Sequence, residues 1–175
     1  KPKISLLLND GTSFLEHIVS GFKLFGCKQI VVVVNTRDYP LISTVIKADK
    51  YGLDVAINEN PELGRMHSLK TGLGKLKQPT NVFIHNIDNP FVDVDILKLL
   101  AEQLDKAEYI YPTYKGKGGH PALISEAVMN NLLHEIHDFQ NLKDYLARKN
   151  TIKVSTDNKS ILINVNSLNE YNQYF

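Results

Sequence analysis

The stretch Ile30-Val31-Val32-Val33-Val34 consists entirely of β-branched apolar residues. A continuous run of this kind is typical of a strand that is covered on both faces, as in a parallel sheet. Other short apolar runs recur along the chain and alternate with segments in which apolar residues have helical spacing. The sequence therefore predicts an α/β fold built around a doubly wound, mostly parallel twisted sheet.

The same patterns assign the rest of the chain to strands and helices. Strands are expected at residues 4–8, 30–34, 55–57, 81–86, 109–114, 122–124, 152–154 and 161–165. Helices are expected at residues 14–25, 41–51, 65–76, 96–104, 126–135, 142–149 and 168–175. Because the two types alternate less regularly in the second half, some antiparallel pairing is expected there, beside a glycine-rich connection at 116–121.

The first helix has recognisable ends. Thr12 or Ser13 is placed to cap its N-terminus, and Glu16 follows at the spacing of a capping box. Gly26 follows the last apolar residue of the helix. Glycine commonly ends helices because it adopts the left-handed conformation at little cost, so the helix is expected to stop there.

The composition indicates one globular domain spanning residues 1–175, with 43% hydrophobic residues and a formal net charge of +1. This balance argues against a nucleic-acid-binding surface and against a basic membrane-binding patch. The apolar runs are too short to span a bilayer, and the single cysteine, Cys27, cannot form an internal disulfide. Together these features predict a cytoplasmic protein.

A candidate ligand site follows the strand expected at 81–86, in the segment His85-Asn86-Ile87-Asp88-Asn89-Pro90. In open α/β sheets, ligands bind beyond the carboxyl ends of the strands. Asp88 at that edge could hold a hard cation such as Mg²⁺ beside a phosphate. It could equally cap the turn before the next helix. The residues alone weigh the two interpretations about evenly.

Two further segments contain residues suited to binding. Gly64, Arg65 and Ser68 lie where a strand passes into a helix, whose first N–H groups suit an anion or the edge of a nucleobase. Gly119 and His120 lie in the glycine-rich connection, which allows a ligand to approach the backbone closely. On the residues alone, an ordinary capped helix and a flexible surface loop are the favoured explanations.

Polar residues near the two ends of the chain are weaker candidates. Asn164 and Asn166 end the last expected strand, and their amide oxygens can ligate a metal or stabilise a turn. Lys3 precedes the first strand, where its ammonium group could neutralise phosphate or simply be exposed. His134 and His137 are three residues apart on an expected helix, but no third metal ligand accompanies them.

Other classes of site find no support in the sequence. There is no cysteine–histidine cluster with zinc spacing. There is also no nucleophile elbow, no phosphate-binding loop of the Walker type and no dinucleotide fingerprint. These absences leave the strand ends described above as the candidate site.

Taken in order, the segments resemble the MobA-like nucleotidyltransferases, and most of all the molybdenum cofactor cytidylyltransferases. The resemblance extends from Lys1 to about Tyr171. It is carried by Pro2-Lys3, Asn9-Asp10-Gly11, Phe14-Leu15-Glu16-His17, the turn from Gly64 to Ser68-Leu69 with Thr71-Gly72-Leu73, Asp88-Asn89-Pro90, Gly119-His120-Pro121 and Ile163-Asn164-Val165-Asn166-Ser167. Each segment is weak alone, but their order, each at a strand end or in the following turn, is fairly specific.

The resemblance implies a Rossmann-like three-layer nucleotidyltransferase fold. It also implies transfer of a nucleoside monophosphate from an NTP, with CTP favoured over GTP, to a small phosphorylated acceptor, with release of pyrophosphate and with Mg²⁺ as cofactor. We expect a monomer or a homodimer. By position, Lys3 and Asp88 would be catalytic, and Lys3 would contact the triphosphate. The nucleotide would be bound by Gly64, Arg65 and Ser68, and the acceptor by Gly119 and His120. The metal would be held by Asp88 with Asn166 or Asn164.

The chain departs from the family pattern in two places. Family members open with a strand and a glycine-rich loop just before the Pro-Lys pair, and we expect the corresponding residues to lie upstream of Lys1. The late family segment often carries carboxylates where this chain has Asn164 and Asn166, which weakens the expected metal affinity. The alternative is therefore a non-catalytic nucleotide-binding or regulatory domain of the same fold. A receiver-like or flavodoxin-like domain that binds no NTP is the fallback on the residues alone.

Overall fold

The computed structural model describes residues 3–40, 42, 52–78, 80–134 and 141–175. The strands in this part of the chain are β1 Val31–Asn35, β2 Asp54–Asn58, β3 Val82–Ile84, β4 Tyr109–Tyr114, β5 Lys117–Gly118, β6 Ala122–Ile124 and β7 Thr151–Ser155. The α-helices are α1 Phe14–Phe25, α2 Gly64–Leu73, α3 Val94–Ala101, α4 Glu126–His134, α5 Leu142–Leu146 and α6 Leu168–Tyr174. Short 3₁₀ helices span Lys3–Ser5, Pro61–Leu63 and Lys159–Leu162.

The described strands form two hydrogen-bonded groups. β1 and β2 are parallel over five residue pairs, with Asn35 opposite Asn58 at their carboxyl ends. The other group has the order β3–β6–β4–β5, and β7 runs parallel to β4 over another five pairs. The antiparallel pairs β3–β6, β4–β6 and β4–β5 are shorter and involve strands of the second half. The predicted α/β fold is thus confirmed, including its antiparallel portion.

Helices cover both faces of the sheet, because alternate residues of a strand point to opposite sides. On one face, Ile84 and Ile124 pack with α2, α4 and α5. On the other face, Phe83 and Leu123 pack with α3, and Phe83 also contacts α1. These two cores enclose the sheet in the three layers of the expected Rossmann-like fold.

The first helix begins and ends where the sequence indicates. Ser13 Oγ accepts a hydrogen bond from the backbone N–H of Glu16 at 3.2 Å, and the Glu16 carboxylate accepts one from Ser13 N–H at 2.9 Å. This reciprocal pair is the predicted capping box. Gly26 follows with φ +102° and ends the helix. Local polar residues therefore determine the bounds of α1.

The strand predicted at residues 4–8 is absent. The segment begins as the 3₁₀ helix Lys3–Ser5 and then turns back on itself, so that Leu7 forms one isolated antiparallel bridge with Ser13. A backbone hydrogen bond from Leu8 N–H to the Thr12 carbonyl at 2.8 Å closes this turn. The prediction was wrong because the Asn-Asp-Gly turn after the apolar run folds it against the start of α1 rather than into the sheet.

The strand predicted at residues 161–165 is also absent. Asn158 accepts a hydrogen bond from Ser160 N–H at 2.9 Å and starts the 3₁₀ helix Lys159–Leu162. Side-chain capping of this kind competes with a sheet ladder. The apolar residues Ile161 and Val165 are nevertheless buried, as a strand would have required.

The remaining predicted elements overlap the observed ones within the described residues, and where their ends differ, the difference is a few residues. The helix predicted at 41–51 lies outside the described residues except for Ile42, which is buried. His137 and the end of the helix predicted at 126–135 also lie outside them. Within the described ranges, no helix has the length and apolar content needed to cross a bilayer.

Candidate active site

Lys3, Asp88 and Asn166 are far apart in the sequence and meet at one edge of the molecule. The backbone N–H of Val165 donates to the carbonyl of Asp88 at 2.7 Å, which holds the last segment of the chain against the loop after β3. The Lys3 ammonium group donates to Asn166 Oδ1 at 2.6 Å and lies 3.8 Å from Asp88 Oδ2. The structure therefore brings together three of the predicted site residues. Their neighbours Lys1 and Pro2 lie outside the described residues.

One oxygen of the Asp88 carboxylate is available to bind a hydrogen-bond donor or a cation. Its Oδ1 is buried and has no hydrogen-bond partner among the described residues, an arrangement that costs free energy unless a donor or a cation satisfies it. Mg²⁺ is commonly held by one or two carboxylates together with substrate phosphates. No group of three or more acidic, histidine or cysteine side chains forms a metal site in the described part of the chain. Asp88 and Asn166 thus fit a divalent cation that also binds substrate oxygens.

Asn166, rather than Asn164, is the asparagine that contacts Lys3. Asn164 is exposed, and no hydrogen bond joins it to Lys3 or Asp88 within the described residues. Glu170 Oε2 accepts hydrogen bonds from the N–H groups of Asn166 at 2.7 Å and Ser167 at 2.8 Å. The hydrogen bond from Asn166 N–H, followed by that from the Ser167 hydroxyl at 3.0 Å, lowers the pKa of Glu170. An ionised Glu170 therefore fixes the backbone at Asn166.

A pocket of about 340 Å³ adjoins this cluster at the carboxyl ends of β1 and β2. Its polar lining includes Asn35 at the end of β1, Asp38 shortly after it, Asn58 at the end of β2, and Ser68 on α2. Lys3 lines the same pocket. The volume is within the usual range for small-molecule sites. Because Lys3 belongs to both, the pocket and the Asp88 cluster form one continuous site.

The start of α2 is held in place by the polar residues beside the pocket. Gly64 has φ +82°, a conformation that other residues rarely adopt. Ser68 Oγ accepts a hydrogen bond from Asn58 Nδ2 at 2.9 Å and donates one to the Gly64 carbonyl at 3.3 Å. Asn58 is only 3% exposed. These contacts fix the first turn of α2, whose N–H groups have no partners within the helix.

Asn35 and Asp38 are pocket residues that the sequence interpretation missed. Asn35 Nδ2 donates to Asp38 Oδ2 at 3.0 Å, and Asn35 Oδ1 accepts from the backbone N–H of Asp38 at 2.7 Å. A usable signal was present, because Asn35 directly follows the valine run that predicts β1. The same strand-end criterion that selected Asp88 would have selected Asn35.

Arg65 and His120 are connected through Asn86, a third residue that the sequence interpretation passed over. Arg65 Nη2 donates to Asn86 Oδ1 at 2.9 Å, and Asn86 Nδ2 lies 3.0 Å from His120 Nε2. Ile84 pairs with Ala122 between β3 and β6. Continuing that antiparallel register by two residues places Asn86 opposite His120.

Gly119 allows the loop before β6 to pass directly against the 3₁₀ helix near the end of the chain. A Cβ atom at Gly119 would lie 2.5 Å from the carbonyl oxygen of Ile161 and 2.7 Å from its side chain. The adjacent backbone N–H of His120 donates to the same carbonyl at 3.0 Å. Close packing is therefore sufficient to explain why this position is glycine, whatever ligand it meets.

His85 and His120 are both held in the neutral form. Burial lowers the pKa of His85 to about 4, although a 2.7 Å hydrogen bond with the Asn89 carbonyl opposes the shift. Burial also lowers the pKa of His120, and the positive charge of Arg65 adds to this effect, whereas Asp88 opposes it. The two rings lie edge to face with their centroids 6.0 Å apart. At neutral pH neither ring adds a positive charge to the site.

The pKa of His85 falls from its ordinary value of 6.5 to about 4 in the folded protein. The free energy of unfolding should therefore fall as the pH drops through this range. In this window the unfolded chain binds a proton at His85 and the folded protein does not, so acid favours unfolding by up to about 1.4 kcal/mol per pH unit. His85→Phe retains an aromatic ring against Phe22 and removes this titration. Denaturant unfolding at pH ~7 and ~5 should show a smaller loss of stability in the variant. An equal loss in both proteins would contradict the assignment to His85.

The fold is shared with several solved proteins. Rv0371c from Mycobacterium tuberculosis, in complex with manganese, is 19% identical, with a TM-score of 0.80 over 99% of this chain and 90% of that chain. Molybdopterin-guanine dinucleotide biosynthesis protein A from Archaeoglobus fulgidus is 16% identical, with a TM-score of 0.66 over 98% and 88%. The 4-diphosphocytidyl-2C-methyl-D-erythritol synthase from Anaerococcus prevotii is 14% identical, with a TM-score of 0.73 over 96% and 90%. At these identities the likeness establishes a Rossmann-like nucleotidyltransferase fold.

The family follows from the sequence itself. No curated protein matches the chain significantly. The family model of the MobA-like NTP transferase domain, however, matches residues 1–152, which is most of the 175 residues. This match includes Lys3, Asp88 and His120 and ends before Asn166. The chain belongs to the MobA-like NTP transferase family.

Proposed function

We propose that the protein transfers a nucleoside monophosphate from an NTP to a small phosphorylated acceptor and releases pyrophosphate, with Mg²⁺ as cofactor. The observation that carries this proposal is the meeting of Lys3, Asp88 and Asn166 beside the pocket at the ends of β1 and β2. Phosphoryl-type transfer depends chiefly on aligning charged groups and neutralising charge in the transition state. A lysine and an unsatisfied carboxylate at the edge of a pocket suit that task.

In this reaction an oxygen of the acceptor phosphate attacks the α-phosphorus of the NTP, and the bond between the α-phosphorus and the bridging oxygen to the β-phosphate breaks. Lys3 would bind the triphosphate and stabilise the charge on the leaving pyrophosphate. Asp88 and Asn166 would hold the cation, which supplies Lewis-acid stabilisation when bound. An acceptor phosphate is already anionic, so no strong general base is needed. The lowered pKa of His120 makes its ring a weaker base, which agrees with that.

Gly64, Arg65 and Ser68 would bind the nucleotide, because they lie at the first turns of α2 and Ser68 lines the pocket. Free N–H groups at a helix start suit phosphate oxygens and base edges. We infer a preference for CTP over GTP from the Gly64 to Ser68 segment and the Gly-His-Pro segment, which resemble the cytidylyl branch of the family. Gly119 and His120 would border the acceptor.

The single-domain organisation, the monomeric or homodimeric state and the cytoplasmic location remain predictions.

Pyrophosphate release by the full-length natural protein tests the proposal. With Mg²⁺ and a panel of phosphorylated acceptors, we expect release that depends on the acceptor, stops when the metal is chelated, and has a higher kcat/KM for CTP than for GTP. No release with any NTP would contradict the proposed activity. Equal kcat/KM values for CTP and GTP would contradict only the base preference.

A non-catalytic nucleotide-binding or regulatory domain is the second candidate, and one contact favours it. Lys3 already donates to Asn166 Oδ1 at 2.6 Å, so the amide that would ligate the metal is engaged by the lysine. Calorimetry with CTP, GTP and ATP separates the two candidates. Binding without turnover would support the non-catalytic domain, and binding with acceptor-dependent turnover would support the enzyme.

A further inference from the structure

Asn86 lies between two residues that the proposed function assigns to opposite sides of the site. Its Oδ1 accepts from Arg65 Nη2 at 2.9 Å, and its Nδ2 is 3.0 Å from His120 Nε2. Asn86 is neither part of the Lys3 cluster nor among the residues that line the pocket. Both ends of its short side chain are nevertheless used, which makes it the physical connection between Arg65 and His120.

The chemistry of these three groups permits one pattern of hydrogen bonds. A guanidinium group only donates, so the amide oxygen of Asn86 must face Arg65. The amide NH₂ group therefore faces His120 Nε2. Because an NH₂ group only donates as well, Nε2 must be unprotonated and act as the acceptor. A neutral His120 must then carry its proton on Nδ1.

The assigned tautomer leaves His120 with a donor that the described part of the protein does not use. His120 Nδ1 is buried and has no hydrogen-bond partner among the described residues. The neighbouring His85 differs, because its Nε2 must donate to the Asn89 carbonyl, which can only accept. The buried Nδ1 of His85, which also has no partner among the described residues, is therefore an acceptor. The unsatisfied Nδ1–H group of His120 is suited to donate a hydrogen bond to an oxygen of the incoming phosphorylated acceptor. That hydrogen bond would relieve the desolvation cost of the buried N–H group.

We propose that Asn86 is a positioning residue that holds the Arg65 guanidinium beside the nucleotide and fixes His120 as the Nδ1–H tautomer on the acceptor side. The proposal rests on the proposed function, from which Arg65 and His120 take their roles. Arg65 is exposed, so without this contact its long side chain would have to be ordered at the moment of binding, at a cost in conformational entropy. Without the second contact, the His120 ring would be free to move its proton to Nε2.

Nitrogen-15 NMR spectra of the histidine rings test the tautomer directly, with the His120 signals identified by their loss in His120→Gln. We expect the wild-type protein at neutral pH to carry the His120 proton on Nδ1. Asn86→Asp places a carboxylate against Nε2, and because a carboxylate only accepts, the proton should move to Nε2. Asn131→Asp makes the same charge change at an exposed position on α4 and should leave the spectrum unchanged. A wild-type Nε2–H tautomer, or no response to Asn86→Asp, would overturn the proposal.

A double-mutant cycle tests the connection to Arg65. Asn86→Leu should weaken CTP binding by about two- to tenfold, the usual range for one hydrogen bond. In an Arg65→Leu background the same substitution should cause no further loss, because Asn86 acts through Arg65. Equal losses in both backgrounds would overturn this part of the proposal. The ring spectra need neither nucleotide nor turnover. If no NTP binds, the proposed function is rejected, and the spectra still decide whether the hydrogen-bond network exists.

Discussion

Asp88→Asn should lower kcat/KM for pyrophosphate release by about 100-fold or more, the range seen when one preorganised charge-stabilising group is removed. Asp88 supplies the carboxylate that lies beside Lys3, and its buried Oδ1 has no hydrogen-bond partner among the described residues. An amide of the same shape retains the volume and loses the charge that would attract a divalent cation. The fold should survive, because the hydrogen bond from Val165 uses the backbone carbonyl of Asp88.

Asp95→Asn is the matched control for this substitution. Asp95 also has a lysine partner, Lys98 at 3.0 Å, but its side chain is 84% exposed and lies on α3. Exposed ion pairs contribute little to stability, so this variant should keep the wild-type kcat/KM and melting temperature. Wild-type turnover in Asp88→Asn would remove Asp88 from the mechanism.

Gly119→Ala should lower the free energy of unfolding by about 1–3 kcal/mol, as overpacking does in well-packed regions. The added methyl group would lie 2.5 Å from the backbone oxygen of Ile161, which cannot move as a side-chain tip can. For a domain of this size the melting temperature should drop by roughly 2–12 °C. The strain falls beside His120, whose N–H donates to the same oxygen, so kcat/KM with respect to the acceptor should fall as well.

Gly74→Ala provides the comparison for this effect. Gly74 follows α2 with φ −64°, and a Cβ there would approach the Lys70 carbonyl oxygen no closer than 3.4 Å. Glycine-to-alanine changes at such compatible positions are neutral or stabilise by up to about 1 kcal/mol. Thermal unfolding of the two variants side by side measures the difference. Equal melting temperatures for Gly119→Ala and Gly74→Ala would contradict the packing argument.

The sequence predicted those parts of the fold that local interactions determine. The strand expected at 109–114 is β4 and that expected at 122–124 is β6, residue for residue. The bounds of α1 follow from Ser13, which caps its N-terminus, and Gly26, which ends it, and both do so through hydrogen bonds to nearby positions in the chain. Apolar periodicity and capping are local signals, so such elements can be identified without knowledge of the tertiary structure.

The two wrong strands show where periodicity fails. Residues 161–165 place Ile161 and Val165 in the core, as an alternating strand would. The Asn158 cap starts the 3₁₀ helix Lys159–Leu162, and isolated backbone hydrogen bonds, from Val165 to Asp88 and from His120 to Ile161, replace a ladder. Burial alone does not distinguish these conformations. The outcome depends on local side-chain hydrogen bonds such as that of Asn158, which compete with a sheet ladder and which apolar periodicity does not register.

The candidate site was predictable in its position but not in its connections. The strand-end rule selected Asp88 from its place after an apolar run. The contact between Lys3 and Asn166 joins residues 163 positions apart, and no local pattern encodes it. Asn86 was overlooked for a related reason, because its partners depend on the register between β3 and β6.

The most direct test of the proposed metal site is anomalous diffraction from Mn²⁺ in crystals grown with a non-hydrolysable CTP analogue. Our account predicts a metal peak at coordination distance, about 2.1 Å, from Asp88 Oδ1 or Oδ2 and from Asn166 Oδ1. Phosphate oxygens of the analogue should complete the coordination, and the Lys3 ammonium group should contact the triphosphate. A metal bound without Asp88, with the nucleotide lying outside the pocket at the ends of β1 and β2, would contradict it.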